Sequence, residues 1–319
     1  MNNQEGKQGG FGALVSGLAR AFQWRMLVVW AVGLSIPTFV ATLPVWQALS
    51  ARLDHSVRAA DIAQRFDLAS MIELTSPITK DSGDAIAGAG IASFLLALLI
   101  APWLTGMVVA SIRAGQALRF GTMLQMGLRE YGRMVRMLLW AAIPIGLALG
   151  LSGVVSKWAD KQAGIAILES GAENAQTIAT IVLVVLFVLA HATVEAGRGV
   201  IAADPSRRSV VKAWWRGLLL LARRPFAVLV VYLGTALAGY GLALAFAFAR
   251  TQVGAGNTGG LIAGVLLVQL VVAAIAFGRI ARLYGFASLV RDTEVRRQRA
   301  NVSKAAAVSE VAAPAPEAA

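Results

Sequence analysis

Six long apolar runs divide this chain and restrict what it can fold into. They lie at roughly 27–49, 85–110, 137–155, 177–197, 226–249 and 261–284. A helix needs about 20 mostly apolar residues to cross the hydrocarbon core of a bilayer. The composition agrees with this interpretation, because 57% of the residues are hydrophobic and only 14% are charged. The sequence therefore predicts an all-α, polytopic membrane protein with six transmembrane helices.

Basic residues are distributed unequally between the two sides of the predicted bundle. Of the 29 Lys and Arg residues, 22 lie on the side that holds both termini and 7 on the other. The 17 acidic residues divide almost evenly, 8 against 9, so the bias is one of positive charge. Cytoplasmic connections carry such an excess. We therefore expect a bacterial inner-membrane protein whose two termini are cytoplasmic.

The connections define the predicted domain organisation. Residues 1–26 form a basic, amphipathic cytoplasmic segment, and residues 27–287 form the membrane domain. The first apolar run exceeds the 7 to 15 apolar residues typical of a signal peptide, which favours a retained span. One sizeable outer loop, 50–84, is expected to contain a helix before Pro77. The Ala-rich stretch 288–319 has few large apolar residues, which predicts a disordered cytoplasmic tail.

The stretch DPSRRSVVKAWWRGLLLLARRP, residues 204–225, predicts a basic amphipathic helix. Asp204 is the expected N-cap. One face carries Arg208, Lys212, Arg216 and Arg223, and the other carries Val211, Trp214, Trp215, Leu218 and Ala222. Such a helix lies at the headgroup boundary of a membrane, where Trp is enriched. The residues predicted to meet lipid headgroups are Arg207, Arg208, Lys212, Trp214, Trp215, Arg216, Arg223 and Arg224.

The same arrangement recurs twice more along the chain. A Gly-Leu pair precedes the first, third and fifth apolar runs, at Gly17, Gly127 and Gly217. The pairs lie in FGALVSGLARAFQWR, in the predicted surface helix 120–136 and in the predicted surface helix 204–225. Three repeats of amphipathic helix, span, loop and span would explain this pattern. Chance recurrence of two abundant residue types is the alternative.

One segment also resembles a known group of proteins. SVVKAWWRGLLLLARRPFAVLVVYLGTAL, residues 209–237, resembles the repeated helix-plus-span unit of certain bacterial six-span proteins. These are related to the membrane domain of glycerophosphoryl diester phosphodiesterases and to the YciC-like inner-membrane proteins. The resemblance implies a fold and no activity, because the chemistry of those phosphodiesterases belongs to a separate soluble domain. The present chain lacks the length outside its apolar runs, and the paired His and acidic residues, for such a domain.

Three polar side chains inside predicted spans are candidates for a functional role. His191 and Glu195 are four residues apart and therefore share one helix face, and Gln269 lies in the middle of the sixth run. Intramembrane ionisable residues often mark ion or proton pathways, so all three are candidate waypoints of a transporter. In the structural alternative, Glu195 pairs with Arg198 or another arginine of an inner connection, His191 hydrogen-bonds to another helix, and Gln269 stabilises helix packing.

Composition and motifs argue against several classes of function. The chain has no Cys and only two His, so we expect no metal site and no cofactor. The phosphate-binding pattern GxxxxGK[ST] and a recognisable pair of nucleophile and base are absent from the sequence. The cations adjoin apolar runs, which indicates topology rather than nucleic-acid binding. We expect a non-enzymatic protein that engages anionic lipid or envelope partner proteins through its basic helices. Transport of a small or lipid-like solute is the alternative.

Overall fold

The structure is a computed structural model that describes residues 9–54, 56–57, 68–165, 169–254 and 257–312. Within these ranges the backbone forms eight helices and no strand. The helices are α1 (Gly10–Ala21), α2 (Trp24–Leu53), α3 (Leu68–Ala114), α4 (Phe120–Ile165), α5 (Glu169–Ala203), α6 (Val210–Arg223), α7 (Pro225–Thr251) and α8 (Thr258–Ala312).

Six of these helices, α2 to α5, α7 and α8, are long and apolar enough to cross a membrane. Large apolar side chains on them are exposed, for example Phe94 at 62%, Leu147 at 65% and Leu244 at 71%. Such exposure suits a helix that is surrounded by hydrocarbon, because apolar side chains are favourable there. The backbone of such a helix is also suited to lipid, since its hydrogen bonds are made internally. The predicted all-α, six-span, multi-pass membrane fold is confirmed.

Two extensions of helices beyond the predicted spans require corrections. Helix α3 begins at Leu68, so the second part of the predicted outer loop 50–84 is helical. The helix does not end before Pro77, because it continues outward from the span without a break. Residues 55 and 58–67 of this connection lie outside the described residues.

The second correction concerns the tail predicted to be disordered from residue 288. Helix α8 continues to Ala312, and Leu289 and Asp292 within it are 0% and 5% exposed. The boundary predicted at residue 287 is therefore wrong. Arg, Gln, Lys and Ala, which fill this part of α8, all favour helix, and Asp292 makes ion pairs that hold the first turns. Residues 313–319 lie outside the described residues.

The chain divides into two compact units. The first contains residues 1–19, 139–233 and 282–319, and the second contains residues 20–138 and 234–281. Fully buried side chains form the centre of each unit: Ile201, Phe286 and Leu289 in the first, and Leu104, Met107, Met123, Met134 and Met137 in the second. The candidate functional residues are described within the unit that holds them.

Candidate functional site

The beginning of α6 differs from the prediction. The N-cap is Ser209, whose Oγ accepts a hydrogen bond from the backbone N–H of Lys212 at 3.4 Å. Asp204 instead accepts hydrogen bonds from the amide and the hydroxyl of Ser206, at 3.0 and 2.6 Å. The Asp204 carboxylate therefore closes a turn before the helix, and α6 begins at Val210. A carboxylate that can satisfy the next turn competes with its own use as a helix cap.

Helix α6 has three faces of different chemistry. Val211 and Trp215 are 45% and 54% exposed and lie on one face. The helix turns by about 100° per residue, so the residues around its circumference form an exposed apolar face, a basic face and a buried face. Each face covers about a third of the circumference. The exposed basic residues are Lys212, Arg216 and Arg223. The buried residues are Val210, Ala213, Gly217 and Leu220. The predicted amphipathic pattern thus leaves a third face for packing on protein.

The buried face of α6 packs on α5 at a point of close backbone approach. A Cβ placed on Gly217 would lie 2.5 Å from the backbone N of Gly197 and 2.8 Å from the carbonyl oxygen of Thr193. Trp214 Nε1 donates to Thr193 Oγ1 at 3.0 Å, and its ring packs edge-on against Trp140 at 5.7 Å. Trp214, which was predicted to face headgroups, is therefore anchored to protein, while Trp215 is exposed.

Two of the predicted headgroup cations bind protein instead. Arg207 Nε lies 2.8 Å from the carboxylate of Asp204. Arg224 Nη1 donates to Asp292 Oδ2 at 2.8 Å and to Thr293 Oγ1 at 2.9 Å. Arg224 therefore ties the junction of α6 and α7 to α8. Each of these two residues has an acidic partner that the sequence pattern did not reveal, and their contact with lipid headgroups stays a prediction.

The other four predicted cations have a different environment. They are Arg208, Lys212, Arg216 and Arg223, and all four are exposed. Within the described part of the chain, their side chains make no ion pair or hydrogen bond. Four positive charges without acidic partners thus adjoin the exposed apolar face that contains Val211 and Trp215.

Helix α1, in the first unit, packs on α8 in a similar way. Ala13 and Gly17, four residues apart, are buried, while Phe11 and Val15 on another face are 72% and 49% exposed. A Cβ on Gly285 of α8 would lie 3.3 Å from the carbonyl oxygen of Ala13. Small residues therefore permit close approach between α1 and the end of the sixth span.

The beginning of α4, in the second unit, packs on α3 in the register that α6 uses on α5. Met123 and Gly127 are buried, and a Cβ on Gly127 would contact Met107 and Trp103. Trp103 Nε1 donates to the carbonyl oxygen of Leu124 at 3.2 Å. Gly127 lies 20 residues after Met107 and 24 after Trp103. Gly217 likewise lies 20 residues after Gly197 and 24 after Thr193. This agreement in register supports a repeated unit, although the charge differs, because Glu130 at the start of α4 pairs with nearby arginines.

The polar residues predicted within the fourth span belong to a larger cluster in the first unit. His191 Nδ1 lies 2.7 Å from the hydroxyl of Tyr232 on α7, and its Nε2 lies 3.6 Å from Glu195 Oε1. Glu195 accepts a hydrogen bond from Arg198, and the guanidinium of Arg282 on α8 stacks over the Tyr232 ring at 4.5 Å. Both contacts of the structural alternative are therefore present: Glu195 pairs with Arg198, and His191 bonds to another helix.

Gln269 belongs to the second unit. Its side-chain oxygen accepts a hydrogen bond from the Ser35 hydroxyl of α2 at 3.2 Å, which is the packing contact expected for a polar residue between transmembrane helices. A role for His191, Glu195 or Gln269 in transport stays a prediction. Tyr232 and Arg282 were missed as members of the cluster, because they come from helices distant in sequence. An arginine within the sixth apolar run was the one available signal.

No group of three or more His, Asp or Glu residues that could hold a metal ion occurs in the part of the chain that the structure describes. Comparison of the chain with protein-family models, curated proteins and solved structures found no match.

Proposed function

We propose that the chain is a non-enzymatic protein of the bacterial inner membrane that binds anionic lipid along α6. The observation that carries this proposal is a set of four exposed cations beside an exposed apolar face, which have no acidic partner among the residues that the structure describes: Arg208, Lys212, Arg216 and Arg223. A helix of this kind buries its apolar face at the boundary between headgroups and acyl chains. Its cations then lie at the depth of the lipid phosphates.

The packing of α6 supports binding in the plane of the membrane. Its third face is held on α5 through Gly217, and α7 begins at Pro225, directly after Arg224 at the end of α6. The helix therefore does not need lipid in order to stay at the bundle, and the cations add selectivity for lipid charge. Each Lys or Arg near an anionic leaflet contributes about 1 kcal/mol at most, with less at high salt.

The test compares two pairs of cations that have the same helical spacing. Lys212 and Arg216 are exposed on α6. Lys157 and Lys161 are exposed near the C-terminal end of α4. Wild type and the double variants K212Q/R216Q and K157Q/K161Q are each placed in mixed phosphatidylglycerol and phosphatidylcholine, and native mass spectrometry measures which lipid stays bound. Removing two charges at about 1 kcal/mol each predicts up to about a 30-fold loss of phosphatidylglycerol preference for the α6 variant.

The matched control should keep the wild-type preference. Wild type without any preference for phosphatidylglycerol would contradict the proposal, and so would an equal loss in the two double variants, since the effect would then follow total charge. If the preference is unchanged in both, α6 is not the lipid site. The basic residues would then have the role of setting topology.

The predicted orientation requires α6 to face the cytoplasm. Reporter fusions after residues 75, 165 and 255 should report the outer side, and fusions after 120, 205 and 300 the inner side, because of the distribution of positive charge.

The resemblance of residues 209–237 to six-span relatives of the phosphodiesterase membrane domain stays a prediction. Binding of envelope proteins and transport of a solute likewise stay predictions.

A further inference from the structure

The polar cluster around His191 is not needed for packing a basic helix on a span. The packing of α4 on α3 and of α6 on α5 share one register, in which Trp103 corresponds to Thr193 and Met107 to Gly197. In this register the counterparts of His191, Glu195, Arg198 and Tyr232 are Ala101, Thr105, Val108 and Ala142. The α4–α3 contact therefore has no counterpart of these ionisable groups, and its own ion pair, between Arg113 and Glu130, lies at other positions of the register.

The members of the cluster are largely removed from solvent. Glu195, Tyr232 and Arg282 are 8%, 7% and 6% exposed, and Phe187 stacks parallel to the His191 ring at 5.8 Å. Ionisable side chains within membrane spans are unfavourable and rarely serve packing alone. Because the corresponding helices α3 and α4 pack without a counterpart of this cluster, the packing of α6 on α5 does not account for it.

We propose that His191 and Glu195 form a proton-binding site. The ligand is a proton from the water on the α6 side, and it binds at Nε2 of His191, which faces Glu195 Oε1 at 3.6 Å. The 2.7 Å contact between Nδ1 and the Tyr232 hydroxyl is compatible with either tautomer of the neutral ring. The proposed site uses the tautomer that donates Nδ1–H to the hydroxyl, because it leaves the lone pair of Nε2 directed toward the carboxylate.

Proton uptake changes a defined set of contacts. A new N–H bond forms at Nε2, the ring becomes an imidazolium, and water loses one hydronium ion. The separation of 3.6 Å is too long for a hydrogen bond, so the charged ring and the carboxylate must approach each other. Glu195 Oε1 is then shared between His191 and Arg198, which already donates to it.

Groups from three helices face His191. Glu195 and Arg198 come from its own helix α5, Tyr232 comes from α7, and Arg282 from α8 acts through the Tyr232 ring. Helix α6 contributes the indole of Trp214 through Thr193, and an indole does not titrate. Glu195 carries the one negative charge among these groups, so a change at Glu195 should alter the titration of His191.

The test follows the protonation of His191 directly. The chain has two histidines, so His55→Gln leaves His191 as the sole imidazole. The protein is labelled with ¹⁵N-histidine, placed in phosphatidylglycerol and phosphatidylcholine nanodiscs, and titrated by solid-state NMR. We expect the ring nitrogens to titrate reversibly between about pH 5 and 8, with the Nδ1–H tautomer at the high-pH limit. A ring that keeps one protonation state over this range, or an Nε2–H tautomer at high pH, would overturn the proposal.

A second variant tests the role of the carboxylate. Glu195→Gln in the His55→Gln background should change the pH at which His191 titrates by at least about half a unit. Asp160→Asn removes an exposed carboxylate whose partner is Gln176 and should leave the titration unchanged. An unchanged midpoint in the Glu195 variant would refute the pair. If that variant does not fold, as judged by circular dichroism, Tyr232→Phe replaces it and should shift the neutral ring away from the Nδ1–H tautomer; no shift would refute the site.

Discussion

The close approach of α6 to α5 at Gly217 makes a quantitative prediction about stability. In Gly217→Ala the new methyl group would lie 2.5 Å from the backbone N of Gly197 and 2.8 Å from the carbonyl oxygen of Thr193. Both neighbours are backbone atoms, so no side-chain rotation can make room. Helix α6 must therefore move away from α5, and the hydrogen bond from Trp214 to Thr193 must lengthen.

A matched variant separates this clash from the general effect of replacing glycine in a helix. Gly132 lies inside α4, and a Cβ there would meet nothing within 4 Å. Ala is favoured over Gly by about 1 kcal/mol in a helix interior, so Gly132→Ala should be stabilising by up to that amount. Overpacking costs about 1–3 kcal/mol. Since the propensity gain is common to both variants, Gly217→Ala should be less stable than Gly132→Ala by about 1–3 kcal/mol.

The measurement is unfolding in detergent micelles with increasing SDS, followed by circular dichroism. Gly127→Ala offers an intermediate case, because its new Cβ would meet the side chains of Met107 and Trp103, which can move. We expect stability to decrease in the order of the variants at 132, 127 and 217. If Gly217→Ala is as stable as Gly132→Ala, the close approach of α6 and α5 does not determine the stability of their contact, and the reasoning is wrong.

Three other contacts of α6 and its neighbours lead to predictions. Thr193→Val removes the acceptor of the Trp214 indole and should cost about 1 kcal/mol in the same SDS assay. Asp292→Asn leaves Arg224 without its carboxylate, and since that arginine is partly exposed we expect a loss of about 1–3 kcal/mol. Hydrogen bonds from Ser206, above all from its hydroxyl, lower the pKa of Asp204. The contribution of the Asp204 carboxylate to the free energy of unfolding is therefore present above about pH 4 and lost as the pH falls further. Between pH 6 and 3, Asp204→Asn should lose less stability than the wild type. An equal loss in the two proteins would contradict this account.

The sequence alone predicted the features that depend on local pattern. Six apolar runs predicted six spans, because crossing a bilayer requires about 20 apolar residues whatever the fold. Alternation of basic and apolar residues over 204–225 predicted a basic amphipathic helix, because helical periodicity assigns residues to faces without knowledge of neighbours. Helix ends were predicted less well, since Ser209 and Asp204 are both good N-caps and the choice depended on Ser206.

The tertiary structure decided which polar groups have partners. Arg207 and Arg224 look alike in sequence to Arg208 and Arg223, yet the first two are paired and the last two are not. The partner of Arg224 lies 68 residues away on α8. The cluster at His191 likewise includes Tyr232 and Arg282 from separate helices. Periodicity is a property of one helix, whereas an ion pair between helices depends on their packing, so only the assembled bundle could distinguish a cation available to lipid from one bound to protein.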